Sequence, residues 1–183
     1  MIDFQKATLA DAEAIAALHT LSWQQNYRGS FSDHFLDVEV TDERRGVWSQ
    51  RLEYPKDNQS TWVARSNGKL AGFICTFLKD DQRYGSLVDN LHVSPEFKGK
   101  GIGTRLLGVA AEEIENLYPG SGFYLWVLEK NLGAHPFYKS LGGQVIETIK
   151  GNDIGDIEIM KVRYYWPKAK DLIALVNSRE QST

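Results

Sequence analysis

The stretch Leu91-His-Val-Ser-Pro-Glu-Phe-Lys-Gly-Lys-Gly-Ile-Gly-Thr-Arg-Leu-Leu107 decides the reading of this chain. An apolar strand runs into a turn rich in glycine and lysine, and an amphipathic helix follows. Gly99, Gly101 and Gly103 open the run Ile102, Leu106, Leu107, Ala110, Ile114 and Leu117, which repeats at the spacing of one helical face. The first turn of a helix leaves backbone N–H groups without intrahelical partners, and the dipole is positive there. Glycine has no Cβ, so the backbone can come close to an anion. The segment therefore predicts a phosphate or pyrophosphate site.

Which phosphate loop it is follows from spacing. A nucleotide P-loop needs Gly-x-x-x-x-Gly-Lys-Ser/Thr, but Gly99-Lys100 runs into Gly101 and Gly68-Lys69 into Leu70. The dinucleotide fingerprint Gly-x-Gly-x-x-Gly fits poorly, because the spacing here is Gly99-x-Gly101-x-Gly103 and Gly108 falls well inside the helix. A plain glycine-rich surface turn is the remaining alternative. Lys98-Gly-Lys-Gly101-Ile-Gly103 does resemble the Gln/Arg-x-x-Gly-x-Gly/Ala pyrophosphate loop of the GCN5-related N-acetyltransferases (GNAT), with lysine where that family usually has Arg or Gln. A second segment is similar to the family's next motif: the strand from Leu125, then Asn131-x-x-Ala134-x-x-Phe137-Tyr138-x-x-x-Gly142. The two motifs come in the family's order, separated by one helix.

Composition narrows the class. With 183 residues, 42% of them hydrophobic, the chain can bury a full core as one domain. A net charge of -3 argues against nucleic acid as a partner. The basic residues Lys98, Lys100 and Arg105 nevertheless gather at the turn. The lone Cys75, in an apolar run, suits packing and a reducing compartment. No signal-like start and no membrane-length apolar stretch is visible, so the expectation is a soluble, cytoplasmic protein.

Along the chain, Ile2 to Thr8 alternates as a strand, and Thr8 caps a helix with Ala12, Ile15, Ala16 and Leu18 as its buried stripe. A second helical region is expected from about Ser32 to Arg51. Ser60 to Ser66 and Lys69 to Lys79 read as a hairpin about Asn67-Gly68. Ser86 to Val93 leads into the glycine turn, whose helix ends near Pro119-Gly120. A strand at Phe123 to Leu128 and a helix at Leu132 to Leu141 come next. Strands near Gln144–Ile149 and Asp156–Tyr164, joined by a turn at Gly151 to Gly155, complete the pattern. This is a mixed α/β order with one central sheet of about seven strands flanked by helices. The resemblance implies the same acyl-CoA N-acyltransferase fold over residues 1–166, with two central strands splayed to admit acyl-CoA. Residues 167–183 are expected to add a short helix, Lys168 to Asn177, covering the sheet edge or a partner subunit.

The resemblance implies an N-acetyltransferase that passes an acetyl group from acetyl-CoA to a primary amine of a small molecule or peptide, in a ternary complex. A non-catalytic acyl-CoA binding module on the same fold is the alternative. Backbone groups of Lys98, Gly99, Lys100, Gly101, Ile102, Gly103 and Thr104 would hold the pyrophosphate. Those of Leu91, His92 and Val93 would meet the pantetheine arm, with the Leu91 amide near the acyl carbonyl. Asn131 would bond the arm or simply cap its helix. Tyr138 matches the family tyrosine that protonates the CoA thiolate. Asp89 is the candidate base, placed by alternation on the side of Leu91 and Val93. His92 should face the other way, and a water chain or no base at all is also tolerated. Trp23, Tyr27 and Trp126 are candidates for the acceptor pocket, whereas Trp166 reads as core. No metal-ligand spacing involves His19, His34 or His135, so no metal is expected. Polyamine, aminoglycoside, amino acid and protein terminus all stay open as acceptors, and dimers are common in the family.

Overall fold

A computed structural model of the chain describes residues 2–151 and 158–181. The strands are β1 (Ile2–Lys6), β2 (Gln59–Ser66), β3 (Lys69–Asp81), β4 (Gly85–Val93), β5 (Phe123–Leu128), β6 (Gln144–Gly151) and β7 (Ile159–Trp166). The helices are α1 (Ala12–Asn26), α2 (Val40–Glu53), α3 (Ile102–Leu117), α4 (Ala134–Ser140) and α5 (Ala169–Glu180). The sheet runs β1-β2-β3-β4-β5-β7-β6 and is antiparallel except where β4 meets β5. This is the seven-stranded mixed sheet flanked by helices anticipated above. The turn expected at Gly151 to Gly155, and the start of the last strand, fall largely outside the described residues.

Local chemistry accounts for the joints. Thr8 and Asp11 form a capping box, with the Thr8 amide donating to the Asp11 carboxylate at 2.7 Å, and a short 3-10 turn delivers the chain into α1. Asn67 and Gly68 both take positive φ, 49° and 77°, and close the β2–β3 hairpin as a two-residue turn does. The second helical region begins before α2 with a π-turn, Phe35–Glu39, which seats Phe35 and Leu36 against Trp23 and Phe31.

Two layers of core flank the sheet. On one face α3 supplies Ile102, Leu106, Leu107, Ala110 and Ile114 against Ile74, Val88, Leu125 and Tyr164. On the other, Ile15 and Leu18 of α1 and Trp48 of α2 pack on Val63, Phe73 and Phe77. The C-terminal helix differs from expectation in its seat. Leu172 and Val176 of α5 enter the first core, and Val176 lies 3.3 Å from where a Cβ on Gly108 would stand. It packs on α3, because α3 has this small residue facing it, and not along either edge strand. Trp166 is buried, as read: it stacks on Phe123 at 4.7 Å and donates to the Leu141 carbonyl.

Candidate active site

The parallel pairing of β4 with β5 covers only Ser86–Val88 against Phe123–Leu125. Beyond Val88 the β5-facing edge of β4 has no strand partner, and the strands part into a cleft of about 890 Å³. At one end lies the glycine turn. Gly99 and Gly101 take φ of 76° and 75°, left-handed values that an L side chain would strain. Gly101 is the N-cap of α3, and no side chain caps the helix, so its first amides remain available to an anion. Leu91, His92, Val93, Lys98, Gly99, Gly101, Ile102, Gly103, Thr104 and Asn131 all line the cleft. Lys100 does not: its ammonium lies 5.0 Å from the Phe97 ring centroid. Arg105, gathered with the lysines in the sequence, turns away to Glu112 at 2.9 Å.

Tyr138, on α4, lines the cleft. Its ring rests on Phe137, Tyr164 and Trp166 at 5.0, 5.7 and 6.2 Å, while the hydroxyl bonds no described residue. Burial, and secondarily the nearby Tyr27 phenol, push its pKa above the ordinary phenol range. Such a hydroxyl keeps its proton at neutral pH. Asn131 does not cap α4, since Gly133 takes that position; its carbonyl accepts from the Ala134 amide at 3.0 Å. His135 is held by Tyr164 Oη at 2.8 Å and the Glu129 carbonyl at 3.0 Å, which makes it a brace for the β5–α4 loop.

The far end is walled by Trp23, Tyr27 and Trp126, all cleft-lining. Here alternation misplaces one residue. The β3–β4 register passes from Cys75↔Asn90 to Thr76↔Val88, so Asp89 is the extra residue of a β-bulge. Its carboxylate accordingly lies on the α2 side, 2.6 Å from Arg51 Nη1, not on the side of Leu91 and Val93. Asn90 accepts from the same nitrogen at 2.9 Å. His92 does face the helices, with Nδ1 2.8 Å from Ser22 Oγ and its ring 4.5 Å from that of His19. Trp48 Nε1 donates to His19 Nδ1 at 2.9 Å, fixing the tautomer that leaves Nε2 protonated. Burial, followed by the Arg44 charge, lowers the His92 pKa to about 3, and burial holds His19 well below the usual range. Both imidazoles are neutral at physiological pH.

Sequence reading missed Arg44, Val47 and Arg51, which line the cleft from α2. They repeat at three- and four-residue steps beside Trp48, a spacing that marks one helical face. Cys75 is buried and serves packing, its thiol pushed up to about 11 by burial. Among the described residues, no group of three or more His, Cys, Asp or Glu could hold a metal, and no helix is long and apolar enough to cross a membrane.

The acetyltransferase (GNAT) family matches residues 15–143, from α1 through the end of the second motif. The chain belongs to this family. Among curated proteins, an uncharacterized N-acetyltransferase of Methanocaldococcus jannaschii is 33% identical over 109 residues, covering 57% of this chain and 47% of the relative. The chain thus spans about half the length of that relative. Among solved structures, the PaiA N-acetyltransferase of Thermoplasma acidophilum in complex with coenzyme A superposes with a TM-score of 0.69 at 20% identity, covering 91% of this chain and 99% of that one. YncA of Salmonella typhimurium, with its cofactor acetyl-CoA, gives 0.63 at 20% identity, covering 91% and 93%. These structural likenesses show the GNAT fold.

Proposed function

We propose that this GNAT protein transfers an acetyl group from acetyl-CoA to a primary amine, the amine attacking the thioester while both are bound. One observation carries the reading: β4 and β5 part after Val88, opening a cleft with the uncapped start of α3 at one end and the Trp23–Tyr27 wall at the other. Tyr138 lines the same cleft. The α3 amides and Lys98 hold the pyrophosphate. The unpaired edge of β4 at Leu91, His92 and Val93 takes the pantetheine arm as an added strand, and Asn131 bonds the arm from across the cleft. The Leu91 amide polarises the acyl carbonyl.

In the reaction the amine nitrogen forms the new bond to the acyl carbon, the carbon–sulfur bond breaks, and the departing thiolate takes the Tyr138 proton. The phenol donates a hydrogen bond to the sulfur as charge builds there and hands over its proton as the carbon–sulfur bond breaks. The extra proton on nitrogen leaves through solvent toward Asp89 at the mouth, and Tyr138 is then reprotonated. The reducing cytoplasm suits the buried thiol of Cys75.

The test is free-thiol release from acetyl-CoA over a panel of amines, with wild type and Tyr138→Phe. Turnover by wild type, cut about a hundredfold in the variant with acetyl-CoA affinity kept, supports the assignment. Equal turnover removes Tyr138 as the acid. A wild type that binds acetyl-CoA and turns over no amine marks a non-catalytic acyl-CoA binding module.

A further inference from the structure

The acceptor end of the cleft holds a cation that the reaction does not use. Arg44, on α2, has a side chain only 4% exposed, and its guanidinium lies over the Trp23 indole, 4.3 Å from the ring centroid. Taking a cation out of water is costly unless it is paired and hydrogen-bonded. Its partner is Glu43, the preceding residue, which accepts from Nε and Nη2. That leaves the Nη1 edge, which bonds no described residue and belongs to a side chain that lines the cleft.

We propose that the acceptor carries a carboxylate beside its amine, and that the open edge of Arg44 holds that carboxylate. The proposal rests on the acetyl-transfer reading above and names its substrate class. A guanidinium held over an indole and pinned along one edge presents its other edge as a fixed fork, the geometry that matches a carboxylate. Fixing the fork beforehand reduces the ordering cost of binding. The charge balance points the same way. The carboxylates lining the cleft are Glu43 and Asp89, and both are already engaged, by Arg44 and Arg51. A polyamine would find no uncommitted carboxylate among the described lining residues, whereas Glu43 leaves the Nη1 edge of Arg44 to an anionic group.

Position supports the same assignment. Arg44 lies over Trp23, whose ring centroid is 5.5 Å from that of Tyr27, so the fork stands at the aromatic wall of the cleft. The neutral imidazoles of His19 and His92 add no competing charge.

The experiment is thiol release with matched probes: the protein amino acids against their carboxamides, β-alanine and γ-aminobutyrate against alkylamines of equal length, a tripeptide amide, and spermidine. Arg44→Gln and Arg44→Lys are run beside wild type, with the thermal shift by acetyl-CoA recorded for each. The expected result is a free amino or ω-amino acid preferred over its uncharged counterpart by roughly thirtyfold in kcat/KM. Arg44→Gln should abolish that preference, chiefly through KM, with the acetyl-CoA shift intact, and Arg44→Lys should restore part of it. Amides, the peptide or spermidine equalling or exceeding the acids overturns the proposal. So does an acetyl-CoA shift with no acid turned over. Loss of the wild-type shift is a different failure, that of the acetyl-transfer reading itself. Should Arg44→Gln not fold, the matched pairs on wild type still decide.

Discussion

Arg51 of α2 donates to Asp89 of β4 at 2.6 Å, across the bulge that turns this carboxylate toward the helices. The pair sets the acidic residue at the cleft mouth, about a quarter exposed on each side chain (26% and 29%). An ion pair so placed contributes roughly 1 kcal/mol at most once solvent screening is counted.

Asp89→Asn separates chemistry from stability. If Asp89 receives the acceptor proton, kcat/KM falls roughly tenfold or more while the melting temperature moves little. A purely structural pair would give a small loss of stability in Asp89→Asn with an unchanged kcat.

For Tyr138, the raised pKa carries a sign. The phenol is the acid, so activity depends on its protonated form and should hold as pH rises through 9 and 10, past the point where an ordinary phenol would begin to ionise. A pH–rate profile of kcat at saturating acceptor checks this. An alkaline limb near 9 that vanishes in Tyr138→Phe would contradict the buried, uncharged phenol.

The His19–His92 pair makes stability sensitive to acid. Both folded-state pKa values lie below that of an unfolded histidine, so the unfolded chain binds protons first as pH falls. Stability is full above about pH 6.5 and declines below it, toward about 3 for His92, with a slope of up to about 1.4 kcal/mol per pH unit for each ring. Denaturant melts between pH 7 and 5 measure it. His92→Gln should flatten that slope; an unchanged slope would mean that His92 is protonated in the folded state.

Gly101→Ala isolates the anion site. A Cβ there meets no protein atom within 4 Å, but the φ of 75° is left-handed. The expected fold cost is therefore about 1 kcal/mol, from backbone strain alone. The methyl group also stands where a phosphate would approach, so the Kd for acetyl-CoA should rise roughly tenfold or more, by calorimetry, with acceptor KM unaffected.

Much of this was legible in the chain because its signals were local. Asn67-Gly68 announces a hairpin, Gly101 before Ile102 announces a helix start, and the α3 stripe announces its core. The residues of both motifs converge on one cleft, apart from Lys100 and Gly142. What escaped was non-local or one residue out of period. The bulge at Asp89 breaks strict alternation, and its position depends on how β3 pairs, which no local pattern records. Arg44 and Arg51 sit in a polar, weakly patterned helix, and only the packing of α2 beside α1, with Trp48 on Val63 and Phe73, turns them toward the cleft. The seat of α5 depends on Gly108 in a helix some sixty residues earlier, a contact between two surfaces that each look ordinary in sequence.

The most direct test of the account is thermal unfolding of the full chain with acetyl-CoA, CoA or NAD. At about a hundred times Kd, a ligand that binds only the folded state adds about 2.7 kcal/mol, or roughly 5–10 °C for a chain of this size. The account expects that shift with acetyl-CoA and with CoA, and none with NAD. No shift with either CoA species would contradict it, because the parted strands and the uncapped α3 would then not form an acyl-CoA site.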